Sequence, residues 1–210
     1  MSLILGLTGC LGSGKTTVSS LLARHGAVIF CADQIARDVI AQGTPGFHQV
    51  VDAFGDGIVA ADGSVDRKAL ARIVFSDRER RKTLEGLIHP LVRERELALL
   101  REHEAHPLVV LDVPLLYETG LDEWCHKVAV VTVPEEVRFF RLKANRGMEP
   151  EEAMARLKAQ LSQGEKDDRA DFLIHNGGTP QGTAAQAKDL LLRLFPNGLP
   201  APLSAVPNTP

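Results

Sequence analysis

Cysteine is scarce in this chain, an excess of positive charge and long apolar runs are missing, and each lack removes a class of protein. The 210 residues hold three cysteines, Cys10, Cys31 and Cys125. They are odd in number, widely spaced and without a C-x-x-C pair, which leaves neither a disulfide framework nor a zinc site. Cys10 is a candidate oxidisable thiol, but no sequence feature marks it as reactive. Lys and Arg total 24 against 27 Asp and Glu, a formal net charge of −3. No electrostatic footprint for nucleic acid follows, and any basic site must be local. No apolar stretch reaches the roughly 18 residues of a membrane span, and no signal-peptide pattern is present. A cytoplasmic protein without membrane or nucleic-acid partners is expected. Internal repeats are absent, and so is the N-K-x-D sequence that would argue for a GTPase. What remains is an ordinary globular composition, 44% hydrophobic and 24% charged, long enough for one sizeable core and an inserted subdomain.

The chain is organised around its first twenty residues. Gly9-Cys10-Leu11-Gly12-Ser13-Gly14-Lys15-Thr16 fits the phosphate-loop pattern G-x-x-x-x-G-K-[ST]. Leu3 to Leu7 before it reads as a buried parallel strand; Val18, Leu21 and Leu22 after it recur at helical spacing, and Gly26 stands where a helix-ending glycine belongs. Glycines at 9, 12 and 14 permit positive φ and let backbone N–H groups approach anionic oxygens, and the helix N-terminus adds its partial positive charge. In such a loop Lys15 reaches the β- and γ-phosphates and the Thr16 hydroxyl ligates Mg²⁺.

Four further short strands follow, at Ala27 to Phe30, Pro107 to Val113, Lys127 to Val133 and Asp171 to Ile174. Ligands of open α/β sheets sit beyond the carboxyl ends of strands. Asp33 follows one such end, where it either caps the next helix or faces the site. Asp112 ends another, as a Mg²⁺-directed carboxylate or as a satisfied polar group. Between Ala41 and His106 the pattern turns helical and arginine-rich. There His89-Pro90 reads either as a helix break or as a substrate contact, and each basic side chain, Arg93 included, as solvated face or ligand contact. Glu135 to Arg169 reads as charged helix interrupted at Gly147 and Pro150, with Arg156 and Gln160 four apart on one face. It suits a lid closing arginines over a triphosphate, or a solvated hairpin. Thr179 and Pro180 open a last amphipathic helix, and the Pro-rich stretch 196–210 reads as a disordered tail.

The order of blocks goes further than composition. LTGCLGSGKTTV, CADQIAR, FSDRERRKTLEGLIHPLVR, VPLLYETGLD and the AD-x-x-I-x-N-x-G run from Ala170 to Gly178 together closely resemble dephospho-coenzyme A kinase, across about residues 3 to 195. The resemblance implies an α/β P-loop kinase fold: a five-stranded parallel sheet flanked by helices, with a helical acceptor-binding insertion and a helical lid. The implied division is a nucleotide-binding core of residues 1–34, 107–137 and 171–195, a CoA-binding insertion of 35–106, a lid of 138–170 and the tail. It implies ATP-dependent phosphorylation of the ribose 3′-hydroxyl of dephospho-CoA, with Mg²⁺, by a monomer or weak homo-oligomer. Lys15, Asp33 and Arg141 match the catalytic positions. Leu11, Gly12, Ser13, Gly14, Lys15, Thr16, Thr17, Asn176 and Gly177 fall on the nucleotide, Thr8, Asp33, His89, Arg93 and Leu116 on the acceptor, and Thr16 and Asp112 on the metal.

The chain departs from the family pattern in three places. Cys31 stands where members usually have an aspartate two before Asp33, so altered local electrostatics are expected rather than loss of activity. Cys10 replaces a common loop glycine at a variable position. The lid arginine often found four after the Arg141 position is Asn145, followed by Arg146, whose contact with phosphate stays open. Another small-molecule P-loop kinase, or a catalytically weak nucleotide-binding module, are the alternative readings. Retention of Lys15, Thr16, Asp33 and Arg141 together speaks against the latter, because a binder needs no acceptor-side carboxylate.

Overall fold

The computed structural model describes residues 2–158 and 160–198. The expected tail from residue 199 onward and the Arg146 side chain lie outside the described residues. The elements in chain order are β1 (Leu3–Thr8), α1 (Lys15–Arg24), β2 (Val28–Cys31), α2 (Ala32–Asp38), α3 (Pro45–Phe54), α4 (Arg67–Ser76), α5 (Arg78–Glu102), β3 (Leu108–Asp112), β4 (Lys127–Thr132), α6 (Glu135–Arg146), α7 (Pro150–Leu157), α8 (Gln163–Asp168), β5 (Phe172–His175) and α9 (Pro180–Leu194), with short 3₁₀ turns at Asp56–Ile58 and Leu121–Trp124. The five strands form one parallel sheet in the order β2-β3-β1-β4-β5. None of the described helices is long and apolar enough to cross a membrane.

Two compact units divide the chain, residues 1–29 with 103–210, and residues 30–102. In the first, β3 is buried at every position, as a central parallel strand covered on both faces must be. Leu5 and Leu7 of β1 join Leu108 and Val110 of β3 and Ala129 and Val131 of β4 in a core with Val18 and Leu22 of α1 and Ala187, Leu190 and Leu191 of α9. Gly26 closes α1 as the sequence predicts. At φ 95° its N–H donates to the Ala23 carbonyl and the Ala27 N–H to that of Leu22, a Schellman ending. Thr179 caps α9 by accepting from the Gly182 N–H at 3.1 Å.

The second unit packs its helices around Ile40, Val50, Ile58, Val65 and Leu70. Asp66 caps α4, accepting from the N–H groups of Lys68 and Ala69. The break that His89-Pro90 suggests does not occur: α5 runs 25 residues with Pro90 inside it. Proline crowds the carbonyl four residues back and removes one helical bond, yet Leu84, Leu87 and Ile88 on the preceding turns pack against the unit's core, and that burial keeps the helix going. Nor does Asp33 cap α2. Cys31 holds the cap position, without a side-chain bond, and Asp33 lies exposed in the first turn.

Candidate nucleotide-binding site

Strand register brings the first pieces together. Leu7 pairs with Asp112 across β1 and β3, so Asp112 ends its strand beside the point where β1 gives way to the loop of residues 9–14. Lys15 opens α1, and its Nζ stands 3.8 Å from Asp112 Oδ1, both side chains mostly buried. The exposed Thr16 comes next in the same first turn. The loop is shaped by Gly12 at φ 83° and Gly14 at φ 85°, the left-handed region that glycine alone enters freely. Gly14 is the N-cap of α1.

Asn176 fixes the loop from behind. It is 6% exposed; its Nδ2 donates to the Ser13 carbonyl at 2.7 Å and its Oδ1 accepts from Thr183 Oγ1 at 2.9 Å. A side chain on Gly14 would meet that carboxamide. The family resemblance puts Asn176 and Gly177 where the late loop approaches the nucleotide base; the Asn176 carboxamide itself is bonded to the loop backbone and to Thr183. Gly177 lines a cleft of about 400 Å³ with Thr132, Val133, Pro134, His175 and Gly178, at the carboxyl ends of β4 and β5.

Arg141 of α6 donates from Nη2 to the Asn176 carbonyl at 2.8 Å, and its Nη1 lies against Gly14. Arg138, one turn earlier and so on the same face, is a site side chain that the charged sequence run concealed. It is 7% exposed, its stem lies against Gly12, and its Nε has no partner among the described residues. Its Nη2 pairs with the exposed Glu135 at 3.3 Å. Leu11 packs on Leu142, Met148 and Ala153 of the α6–α7 hairpin.

The expected pairing of Arg156 and Gln160 on one helix face fails, because α7 ends at Leu157. Gln160 lies beyond it, and its Oε1 accepts from the Leu11 N–H at 3.1 Å. Thr8 and Leu116 are both fully buried: the Thr8 hydroxyl donates to the Pro114 carbonyl at 3.2 Å, and Leu116 lies against Gly6. Neither side chain faces open solvent. His89 and Arg93 stand one turn apart on the exposed side of α5, in the second unit with Asp33. The Cys10 thiol is buried, which pushes its pKa above the ordinary value against the lowering pull of Lys166 and Arg138; it donates weakly to the Leu161 carbonyl at 3.7 Å. It is no poised nucleophile. Among the described residues no three His, Cys, Asp or Glu side chains gather into a metal-holding group.

A loop of backbone donors, a lysine and a hydroxyl at a helix start, and arginines folded against them have the chemistry that suits a polyphosphate. Comparison with known proteins is in accord. A sequence model of the dephospho-CoA kinase family matches residues 3–181. A dephospho-CoA kinase of Symbiobacterium thermophilum is 48% identical over 187 residues, 88% of this chain and 78% of that protein. Among solved structures, TT1252 of Thermus thermophilus superposes with a TM-score of 0.81 at 36% identity, covering 92% of this chain and 98% of that one. A dephospho-CoA kinase from Campylobacter jejuni gives 0.70 at 26% identity, covering 92% and 98%.

Proposed function

The chain belongs to the dephospho-CoA kinase family, and from that premise we propose how its own residues carry ATP-dependent phosphorylation of dephospho-CoA in coenzyme A biosynthesis. The observation that carries the reading is the convergence of Lys15, Asp112, Arg141 and the Asn176-braced loop at the ends of β1, β3 and β5. Backbone N–H groups within Gly12 to Thr16 and the Lys15 ammonium hold the triphosphate. Arg141 neutralises charge on the transferring phosphoryl group through its planar fork. Asp33 accepts or orients the proton of the ribose 3′-hydroxyl. A carboxylate near pKa 4 is a weak base toward an alcohol, so its contribution is chiefly alignment.

Thr16 and Asp112 are the donors for Mg²⁺. A hydroxyl and a carboxylate, both hard oxygens, suit an ion that takes few protein ligands and completes its shell with phosphate and water. When bound, the ion screens the phosphate charges. The insertion 35–106, with His89 and Arg93, takes the acceptor, and residues 138–170 form the lid. The protein works in the cytoplasm as a monomer or weak homo-oligomer.

The test is ADP release with ATP and Mg²⁺, dephospho-CoA being run beside AMP, CMP, shikimate and gluconate. Turnover with dephospho-CoA alone is the expected result; equal rates with another acceptor would overturn the acceptor assignment. Asp33→Asn is expected to lower kcat at least a hundredfold with ATP affinity within threefold of the parent. Unchanged kcat would remove Asp33 from the mechanism.

A further inference from the structure

Residues 160 and 161 lie across the phosphate loop as a strap. Gln160 Oε1 takes the Leu11 N–H at 3.1 Å, and the Leu161 carbonyl receives the Cys10 thiol at 3.7 Å. The far side of the strap is anchored just as closely. The Leu161 N–H donates to Glu118 Oε1 at 2.7 Å, and Glu118 pairs with Lys166 at 2.9 Å. Lys166 has no exposed surface; its Nζ also donates to the Pro114 carbonyl at 3.0 Å, the oxygen that accepts from Thr8. Ser162 and Glu165 then close a capping box that starts α8 immediately after the strap.

We propose that Gln160 is a positioning residue for phosphoryl transfer. Its uncharged carboxamide, set by the buried Lys166–Glu118 pair, fixes the Leu11 N–H and with it the shape of the phosphate loop. The proposal rests on residues 9–16 being the triphosphate cradle. The chemistry of the side chain is the argument. A backbone N–H at this position needs an acceptor, and a carboxylate is the stronger one. A carboxylate here, however, would sit half-buried on the loop that holds the triphosphate in this reading, where like charges repel. A carboxamide supplies the acceptor without the charge. The same bond ties the segment after α7 to the loop, and Leu11 packs on Leu142, Met148 and Ala153, so the hairpin that carries Arg138 and Arg141 and the loop they address keep a common register.

The experiment compares Gln160→Ala and Gln160→Glu with the parent enzyme, measuring ATP affinity by titration calorimetry without acceptor and kcat with dephospho-CoA, from pH 5 to 8. Gln160→Ala is expected to lower kcat about tenfold with the KM for dephospho-CoA unchanged, since only the loop is released. Gln160→Glu keeps an acceptor and so keeps the loop. It is expected to weaken ATP binding at least tenfold at pH 8, with the penalty shrinking as the carboxylate protonates toward pH 5. The alanine variant's effect should not vary with pH. Alanine values of kcat and ATP affinity both within twofold of the parent would overturn the proposal, as would a glutamate variant that tracks the alanine variant at every pH. If the parent itself fails to phosphorylate dephospho-CoA, the proposed activity falls while the ATP titration still decides the role of Gln160.

Discussion

Asn176 makes the loop what it is through one side chain. Its carboxamide bridges the Ser13 carbonyl and the Thr183 hydroxyl inside the protein, and its own backbone carbonyl receives Arg141. Removing it takes the side-chain donor from the buried Ser13 carbonyl and leaves the Thr183 hydroxyl only its longer bond to the Thr179 carbonyl, a penalty on the order of 1–3 kcal/mol. Asn176→Ala is therefore expected to lower the urea midpoint and to raise the KM for ATP severalfold, since the loop backbone loses its brace. An unchanged midpoint with an unchanged KM would contradict the bracing role. Gly14 is the other half of the device. At φ 85° and with Asn176 against it, it admits no side chain without displacing the amide. The sequence pattern located this loop completely, because its glycines answer to local backbone geometry. The partner that holds it lies 163 residues away and has no local signature.

At the scale of elements, α8 decides how the segment after α7 meets the rest of the first unit. Lys166, in a run of charged residues that reads as solvated surface, is wholly buried against Glu118. Arg169, one helical turn on, stacks over Tyr117 at 4.0 Å and pairs with Asp122 at 2.9 Å. Burial pushes the Tyr117 phenol up to about 12, with Arg169 pulling the other way. Lys166→Met removes one partner of a buried pair and is expected to cost about 3 kcal/mol. The double variant with Glu118→Gln should recover part of that loss, because glutamine still accepts from the Leu161 N–H and carries no stranded charge. Urea unfolding of the four proteins in the cycle measures the coupling; strict additivity would mean the pair does not interact. The same segment shows where periodicity ran out. Leu157 to Gln163 continues a helical pattern, and the helix stops because Glu118 grips the Leu161 backbone and Ser162 caps α8. The Glu118 grip lies 43 residues off in sequence, outside any local window. By contrast Thr179-Pro180 and Gly26 are caps whose bonds span no more than five residues, and both stand where the sequence puts them.

For the whole molecule, the strand runs and the phosphate loop were legible because parallel strands buried on both faces must be apolar throughout. The order β2-β3-β1-β4-β5 was not, since it depends on which neighbours pair. Burial of single charged groups is equally a property of the whole fold, and Glu96 is the case with a measurable consequence. It sits on the long, mostly charged α5 yet is 2% exposed. Burial pushes its carboxyl up to about 7, with Arg93 opposing. In the unfolded chain the same group loses its proton near 4.5. Between those values folding takes up a proton, so this residue's contribution to stability falls as pH rises and is fully lost above about 7. Replacing the carboxyl with a neutral isostere removes the dependence. Glu96→Gln should lie nearest the parent at pH 5 and exceed it progressively to pH 8, the gap widening by on the order of 2 kcal/mol. Urea unfolding at pH 5, 6, 7 and 8 reads the gap directly. Parallel stability curves for the two proteins would show that Glu96 ionises in the folded state as it does in the unfolded chain, with its burial relieved by partners on the rest of the fold.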